Sequence, residues 1–544
     1  MTGRRKDRRS SSSSSKKIIA YAAIGILALA AVSVAFFARS PTPVDPAFFA
    51  RSPTPVDPAE ESRKEAIRLF QARSCGSDGA RSTQYVIELS LPTECEMPLG
   101  IAVDGEKVWY VSTKEGILGS YNLADQKFEE RKIPSWPARD GPTTVSMSWA
   151  ARVDQSGNIW FTDERQKAIW RFDKASDNFD LFYVPAALPA ALEFDAEGNL
   201  YFIGVQSRSI YFGDITKMKD GTSEGITEIA LPLDGFAGIE EHLITTGSLA
   251  LDNDNRVIWV SLLAFQQKGL LFRYDIEAQK VDRVVDLPDD LRSPVGLALD
   301  GSNNLWVTDH GTSIFFKYDQ SNDRVTKFAT SVASPSIYGG TTPPNAYTLP
   351  YWIQKSPDDN TMWFNEHTGN KIARFDPSKF VLTEYWIPSQ NKNWANCPPG
   401  SESCGLANAL QFSAGPDGQV WFTEWTENKL GRVDVAKPVP LAVTADDEVT
   451  VAHGGSVEIE ITLESAPGFS GRMMSSSTLT GTGQLGNSTG IFSEGSVSLS
   501  AGESKRISYV FSPAESIPAG EHVLMVGAGN DELSVLKAVM VNIV

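Results

Sequence analysis

The stretch GPDGQVWFTEWTENKLGRVD, Gly415 to Asp434, decides the fold. It reads as a turn, a strand-like run, a second turn and a second strand-like run. The first run ends on a carboxylate flanked by aromatics: Trp421, Glu424 and Trp425. Self-similarity at a fixed period is the mark of a repeat architecture, and this stretch has relatives along the chain. "KVWYVST" (Trp109), "NIWFTDE" (Trp160), "NLYFIGV" (Tyr201), "VIWVSLL" (Trp259), "NLWVTDH" (Trp306), "TMWFNEH" (Trp363) and "QVWFTEW" (Trp421) make seven copies. They are spaced by 51, 41, 58, 47, 57 and 58 residues.

Most copies follow a small turn such as "DQSGN", "DAEGN" or "GPDGQ", and most precede a second strand such as "AIWRFD", "KIARFD" or "KLGRVD". A third strand, as in "NFDLFYVP" or "VLTEYWIP", usually ends in Pro, and a fourth, as in "PLGIAVD" or "PVGLALD", lies before the turn. Four short strands in each of these repeats describe a propeller blade. With strands A to D counted from the axis outward, the seventh repeat lacks its D strand. "QYVIELSLP", Gln84–Pro92, has the D pattern and stands before the first A strand. The expected fold is therefore all-β: a seven-bladed propeller over 84–436 whose last blade is closed by 84–92, so that no edge stays open. From 437 to 544 Trp vanishes and alternating Ser/Gly/Val-rich runs predict an immunoglobulin-like β-sandwich. Asn487-Ser488-Thr489 there is a possible glycosylation acceptor.

The other end differs. Residues 1–17 form a basic tail, with seven Lys/Arg against Asp7; since the whole chain carries −18, the remainder carries −24. Such an acidic body disfavours nucleic acid as a partner. Residues 18–38, "IIAYAAIGILALAAVSVAFFA", are 21 uncharged residues, enough for one transmembrane helix. The basic flank keeps the N-terminus cytoplasmic and the bulk outside, at the cell membrane. A cleaved signal peptide is the competing account, and the length of the apolar run weighs against it. Residues 39–83 form a stalk: "FFARSPTPVDPA" occurs twice in tandem, Pro-rich spacer material, followed by "AEESRKEAIRLFQAR", a short helix. Four cysteines outside the membrane point to disulfides. Of three connectivities, the local one, Cys75–Cys95 and Cys397–Cys404, is expected.

Residues three and four places after the repeat aromatic fall where B strands end, on the face shared with the D–A loops. They are Asp163/Glu164, Asp309/His310, Glu366/His367 and Glu424/Trp425 in four repeats, and Ser112/Thr113, Gly204/Val205 and Leu262/Leu263 in the others. Carboxylates and histidines around one mouth can hold a divalent cation, magnesium or calcium, here through Asp163, Asp309, Glu366 and Glu424. They can also act as acid and base, with His367, Glu366 and His310 the candidates. Acidic strand ends that only bond their own turns are the plainer account. His242 lies in a long D–A loop, and His453 and His522 in the sandwich. Long aromatic D–A loops often build binding sites. Tyr338, Tyr347, Tyr351, Trp352 and Trp394 could wall a ligand, joined at the mouth by Trp425 and Asn408.

These repeats resemble those of the streptogramin (virginiamycin B) lyase family, whose blade motif "GPDGQVWFTEWTENKLGRVD" closely follows. The likeness spans roughly Gln84 to Asp434. It implies a seven-bladed propeller and, in the family, a magnesium-dependent elimination that opens a cyclic depsipeptide with a histidine as base. The family's histidines begin A strands in the last two blades. Here Tyr351 and Asn408 stand at those places, and Leu406 stands where a glutamate is expected. The blade motif is present and its base is not. The expectation is therefore a ligand-binding or surface-interaction propeller for an unknown small molecule or surface partner. The alternatives are a metal-dependent carbon–oxygen lyase acting on cyclic esters, or a lactonase-like hydrolase.

Overall fold

The computed structural model describes residues 58–76, 79–139, 141, 143–185, 187–254, 256–333, 347–401, 404–478 and 488–544. The basic tail, the 18–38 apolar run, the tandem Pro-rich repeat up to Asp57, Tyr338 and Asn487 lie outside them. Among the described residues no helix is long and apolar enough to cross a membrane.

The chain begins with α1 (Pro58–Ser74), carrying Glu60 and Glu61 in its first turn and Arg73 in its last, as the helix dipole favours. It is the "AEESRKEAIRLFQAR" helix of the sequence. Its C-terminal end docks on the loop 387–411: Asn391 and Asn393 donate to the Arg73 and Ala72 carbonyls at 3.3 and 3.2 Å. Cys75 is bonded to Cys95, and Cys397 to Cys404, the local pairing.

Almost everything else is strand. After β1 (Val86–Ser90) come four-stranded antiparallel units. They are β2–β5 (Pro98–Val103, Lys107–Ser112, Ile117–Asn122, Phe128–Lys132) and β6–β9 (Ala151–Val153, Ile159–Asp163, Ala168–Asp173, Asn178–Tyr183). Next are β10–β13 (Leu188–Phe194, Leu200–Val205, Ser209–Gly213, Ile226–Ala230) and β14–β17 (Ile244–Leu251, Val257–Ala264, Lys268–Asp275, Lys280–Asp286). Then follow β18–β21 (Pro294–Leu299, Leu305–Asp309, Ile314–Asp319, Arg324–Ala329) and β22–β25 (Pro350–Lys355, Met362–Glu366, Lys371–Asp376, Val381–Trp386). The last unit has β26 (Phe412–Ala414), β27 (Val420–Glu424) and β28 (Lys429–Val433) from its own segment. Its outer strand is β1, which pairs with β28 from Val86↔Val433 to Ser90↔Lys429. The arrangement is propeller-like: every inner strand, β2, β6, β10, β14, β18, β22 and β26, lines one funnel of about 420 Å³.

The repeat aromatics build this packing. Trp160, Trp259, Trp306, Trp363 and Trp421 are among the largest fully buried side chains. Several indole N–H groups donate to the Asp of the preceding turn: Trp109 to Asp104, Trp160 to Asp154 and Trp306 to Asp300, at 2.8–3.0 Å. The basic residue of the third strand lies opposite: Trp160↔Arg171, Trp363↔Arg374 and Trp421↔Arg432. Each of these guanidiniums sits 5.4–5.7 Å from the ring centroid, a cation–π contact.

The C-terminal segment adds β29 (Leu441–Ala445), β30 (Glu448–Val451), β31 (Val457–Ser465), β32 (Gly471–Ser477), β33 (Thr489–Phe492), β34 (Ser496–Leu499), β35 (Ser504–Ser512), β36 (Gly520–Gly529) and β37 (Leu533–Ile543). One sheet is β29-β31-β35-β33. The other does not stand alone: β37 pairs with β25, Val381↔Lys537 to Tyr385↔Leu533, so one continuous sheet runs from β22 to β34. The outer strand β25 gains a partner along an edge that would otherwise be open.

Candidate functional site

Seven second strands end on one face, and successive residues of a strand point to opposite sides. That alternation divides the site. The residue three places after the aromatic turns toward its own unit and the loop before it. Of the residues four places after, Glu164, Val205, Leu263 and His310 line one cavity.

Take the axial set first. Trp425 donates its indole N–H to Thr113 at 3.0 Å, joining the last unit to the first. The His310 and His367 rings stack at 5.6 Å with 8° between planes. His367 Nε2 lies 2.9 Å from Asn408 Oδ1, while Asn408 donates to Thr426 Oγ1 at 3.1 Å. His310 packs on the Tyr351 ring, centroids 4.6 Å apart. Each histidine thus meets the start of the next unit's inner strand, at the two residues where the family resemblance expects histidine. Burial, then the neighbouring His367, pushes the His310 pKa down to about 3. Burial lowers His367 to about 4, against its bond to Asn408. Both imidazoles are neutral at ordinary pH.

Of the carboxylate set, Asp163 and Asp309 are engaged by their own turns and loops, whereas, among the described residues, both Glu424 oxygens and Glu366 Oε1 are buried without a partner. Asp163 accepts from Ser146 Oγ at 2.6 Å, Gln166 N at 3.1 Å and Trp170 Nε1 at 3.2 Å. Asp309 accepts from the backbone of Ser293 and Gly311 at 2.8 and 3.0 Å. Burial still lifts its pKa to about 6. Glu366 is 3.2 Å from Lys371 Nζ, which also reaches Glu384 at 3.4 Å, all three out of solvent, and donates to the half-buried Ser331 Oγ at 2.7 Å. Burial holds the Glu366 carboxyl well above the usual range. Against its own burial, Lys371 and Ser331 keep Glu384 below it. The last unit repeats the plan: Lys429 lies 3.4 Å from Glu88 of β1 and 3.3 Å from Glu427, and bonds Ser389. Glu424 beside them is raised by burial and by the Glu88 charge. These four carboxylates belong to four separate units. Among the described residues no three His, Cys, Asp or Glu side chains are grouped to hold a metal ion. The magnesium or calcium site expected at Asp163, Asp309, Glu366 and Glu424 does not fit this donor arrangement.

What opens at the axis is a cavity of about 60 Å³ with mostly apolar walls. Its lining includes Trp149, Glu164, Leu263, Phe265, His310, Tyr351, Trp352 and Gln411. Trp149 Nε1 donates to Glu164 Oε2 at 2.9 Å, and the Trp149 and Tyr351 rings meet edge to face at 6.5 Å. Burial raises the Glu164 pKa to about 7, offset by the Trp149 bond. Burial and the Glu164 charge raise the Tyr351 phenol. The backbone here is clamped: Trp352 N donates to Asn365 Oδ1 at 2.7 Å, and Thr308 Oγ1 bonds the Tyr351 carbonyl.

Of the expected ligand-binding residues, Tyr351 and Trp352 line this cavity, and so does His310. Trp394 and Trp425 instead pack on each other, ring centroids 5.6 Å apart, with Trp394 Nε1 donating to the Arg73 carbonyl at 3.2 Å. Asn408 is fully buried. Sequence reasoning favoured Asp163 over Glu164 and passed over Trp149. Strand alternation was the available signal, because it turns Asp163 away from the axis and Glu164 toward it.

No protein-family profile matches the chain, and no curated protein does. Among solved structures it is similar to virginiamycin B lyase from Staphylococcus aureus at 20% identity and a TM-score of 0.47, covering 64% of this chain and 98% of that one. It is similar to a streptogramin B lyase at 20% identity and a TM-score of 0.48, covering 64% and 97%. It is similar to Kuenenia stuttgartiensis hydrazine synthase at 11% identity and a TM-score of 0.42, covering 64% and 98%. The propeller-like architecture of this chain rests on its strand pairing.

Proposed function

We propose that this chain is a seven-bladed propeller with an immunoglobulin-like sandwich, anchored at the cell membrane with its bulk outside, that binds a ligand through the axial cavity of its upper face. The blade count is supported by the strand pairing and by β1 completing the last unit. The anchor is supported by the uncharged run 18–38 behind a basic tail. An extracytoplasmic body is supported by two disulfides.

One observation carries the binding role. The cavity joins aromatic walls to a few converging polar groups, Glu164, His310 and Gln411, the composition of a ligand site. Of the histidines that a base-catalysed elimination would draw on, His367 is held by Asn408, while His310 packs on Tyr351 and lines the cavity. A second reading rests on Glu164 alone. Its carboxyl, raised to about 7, lies where a general base works best, and it would support lyase or hydrolase chemistry on a small cyclic ester.

The test is a cavity-filled variant, Leu263→Phe, compared with the wild-type full chain in a thermal-shift screen of small molecules. Ligands of this site raise the wild-type melting temperature and leave the variant unmoved. Hits that stabilise both equally place binding elsewhere and contradict the proposal. Turnover of a small lactone that disappears in Glu164→Gln would favour the second reading.

A further inference from the structure

Resting on the reading of the axial cavity as a ligand site, we propose that it is an aromatic cage for a small alkylammonium group. Three features of the walls point to a cation. Trp149 and Tyr351 meet edge to face at 64°, and Phe265 and Trp352 line the same space. Aromatic faces arranged around a cation attract it through the ring quadrupole.

Glu164 supplies the charge. Its carboxylate is buried and is fixed to the rim of one wall by the Trp149 N–H. Among the described residues, Arg165, next in the chain, and Asp163 are the charged groups that act on it. A buried carboxylate is costly unless a cation meets it, and a ligand ammonium would do so.

The third feature is a pair of polar side chains on the walls. His310 lines the cavity and is 4% exposed, and the Leu349 and Pro350 backbones lie in hydrogen-bonding reach of its ring. As a neutral imidazole it presents one acceptor nitrogen, suited to an ammonium N–H. The Gln411 amide lies on the same wall, with its Nε2 buried and, among the described residues, without a partner. The volume, about 60 Å³, suits a head group and not a macrocycle.

The experiment is calorimetry on the full chain at pH 8. The probes are methylammonium, tetramethylammonium and the neutral 2,2-dimethylpropan-1-ol, which matches tetramethylammonium in shape. At least one cation is expected to bind about tenfold tighter than the alcohol. Glu164→Gln, which keeps an acceptor for Trp149, should bring that ratio near one and leave the alcohol affinity unchanged. Tyr351→Leu removes an aromatic wall and should weaken the cation several-fold more than the alcohol. Alcohol binding as tight as both cations overturns the cation class and leaves the cavity as a ligand site. Binding of no probe overturns both. Equal loss of cation and alcohol in Glu164→Gln shows a shape effect and overturns the role given to the charge.

Discussion

His367 of one unit and Asn408 of the next are joined by a 2.9 Å contact from Nε2 to Oδ1, and both are buried. Asn408 also holds a left-handed backbone, φ 52°, which costs a residue with a β-carbon and suits asparagine best after glycine. Asn408→Ala leaves the imidazole without that contact and keeps the strained backbone. The expected loss is roughly 2–4 kcal/mol by urea denaturation. Asn408→Gly relieves the backbone and not the lost bond, so it should fall between the two.

Glu164 makes stability depend on pH in a defined direction. Its folded-state pKa, about 7, lies above that of an unfolded glutamate. Between the two values the folded state binds more protons, so stability falls as pH rises toward 7 and levels off above. Glu164→Gln removes this dependence. The variant should gain on the wild type by about 2–3 kcal/mol more at pH 8 than at pH 4, read from denaturation midpoints at the two pH values.

The Glu366–Lys371–Glu384 cluster ties three elements. Lys371 holds two carboxylates, takes Ser331 Oγ, and sits 4.8 Å from the Trp386 ring centroid. Glu384 in turn accepts from Ser534 of β37. Lys371→Met strands a buried carboxylate and should cost about 3–5 kcal/mol. Lys371→Met combined with Glu384→Gln should recover part of that loss, measured as a coupling in a double-mutant cycle.

Gly431 lies directly across from Phe422 in the β27–β28 pair. A β-carbon there would stand 2.0 Å from Phe422 Cζ. Gly431→Ala should destabilise by about 1–3 kcal/mol. Adding Phe422→Leu, which withdraws the ring, should rescue it, with both variants compared by thermal melting.

The repeat was legible because each unit states its chemistry locally. The aromatic at the head of "WFT" and the basic residue of "ARFD" or "GRVD" fall opposite one another in the register, as Trp421 and Arg432 do. The closing strand was legible because "QYVIELSLP" carries an outer-strand pattern out of place. The join between β25 and β37 was not anticipated. Its signal was present: "LSVLKAVMVNI" is nearly continuous in apolar residues, and β37 is buried along almost its whole length, as a strand covered on both faces must be. The exposed outer strand β5, "FEERK", shows the contrast. At the site, residue types gave the positions and left the directions open. His310 meeting Tyr351, and His367 meeting Asn408, follow from the second strand of one unit ending beside the start of the next unit's inner strand, a relation across 41 residues of chain in each case.

The central claim is that Asp163 and Asp309 fasten their own loops, that Glu366 is held by Lys371, and that binding belongs to the axial cavity. Calorimetric titration of magnesium and of calcium into the full chain, beside Glu366→Gln/His367→Ala, tests it most directly. The account predicts no binding that depends on these two residues. Tight binding in the wild type that is lost in the double variant would contradict it and return metal chemistry to the strand ends.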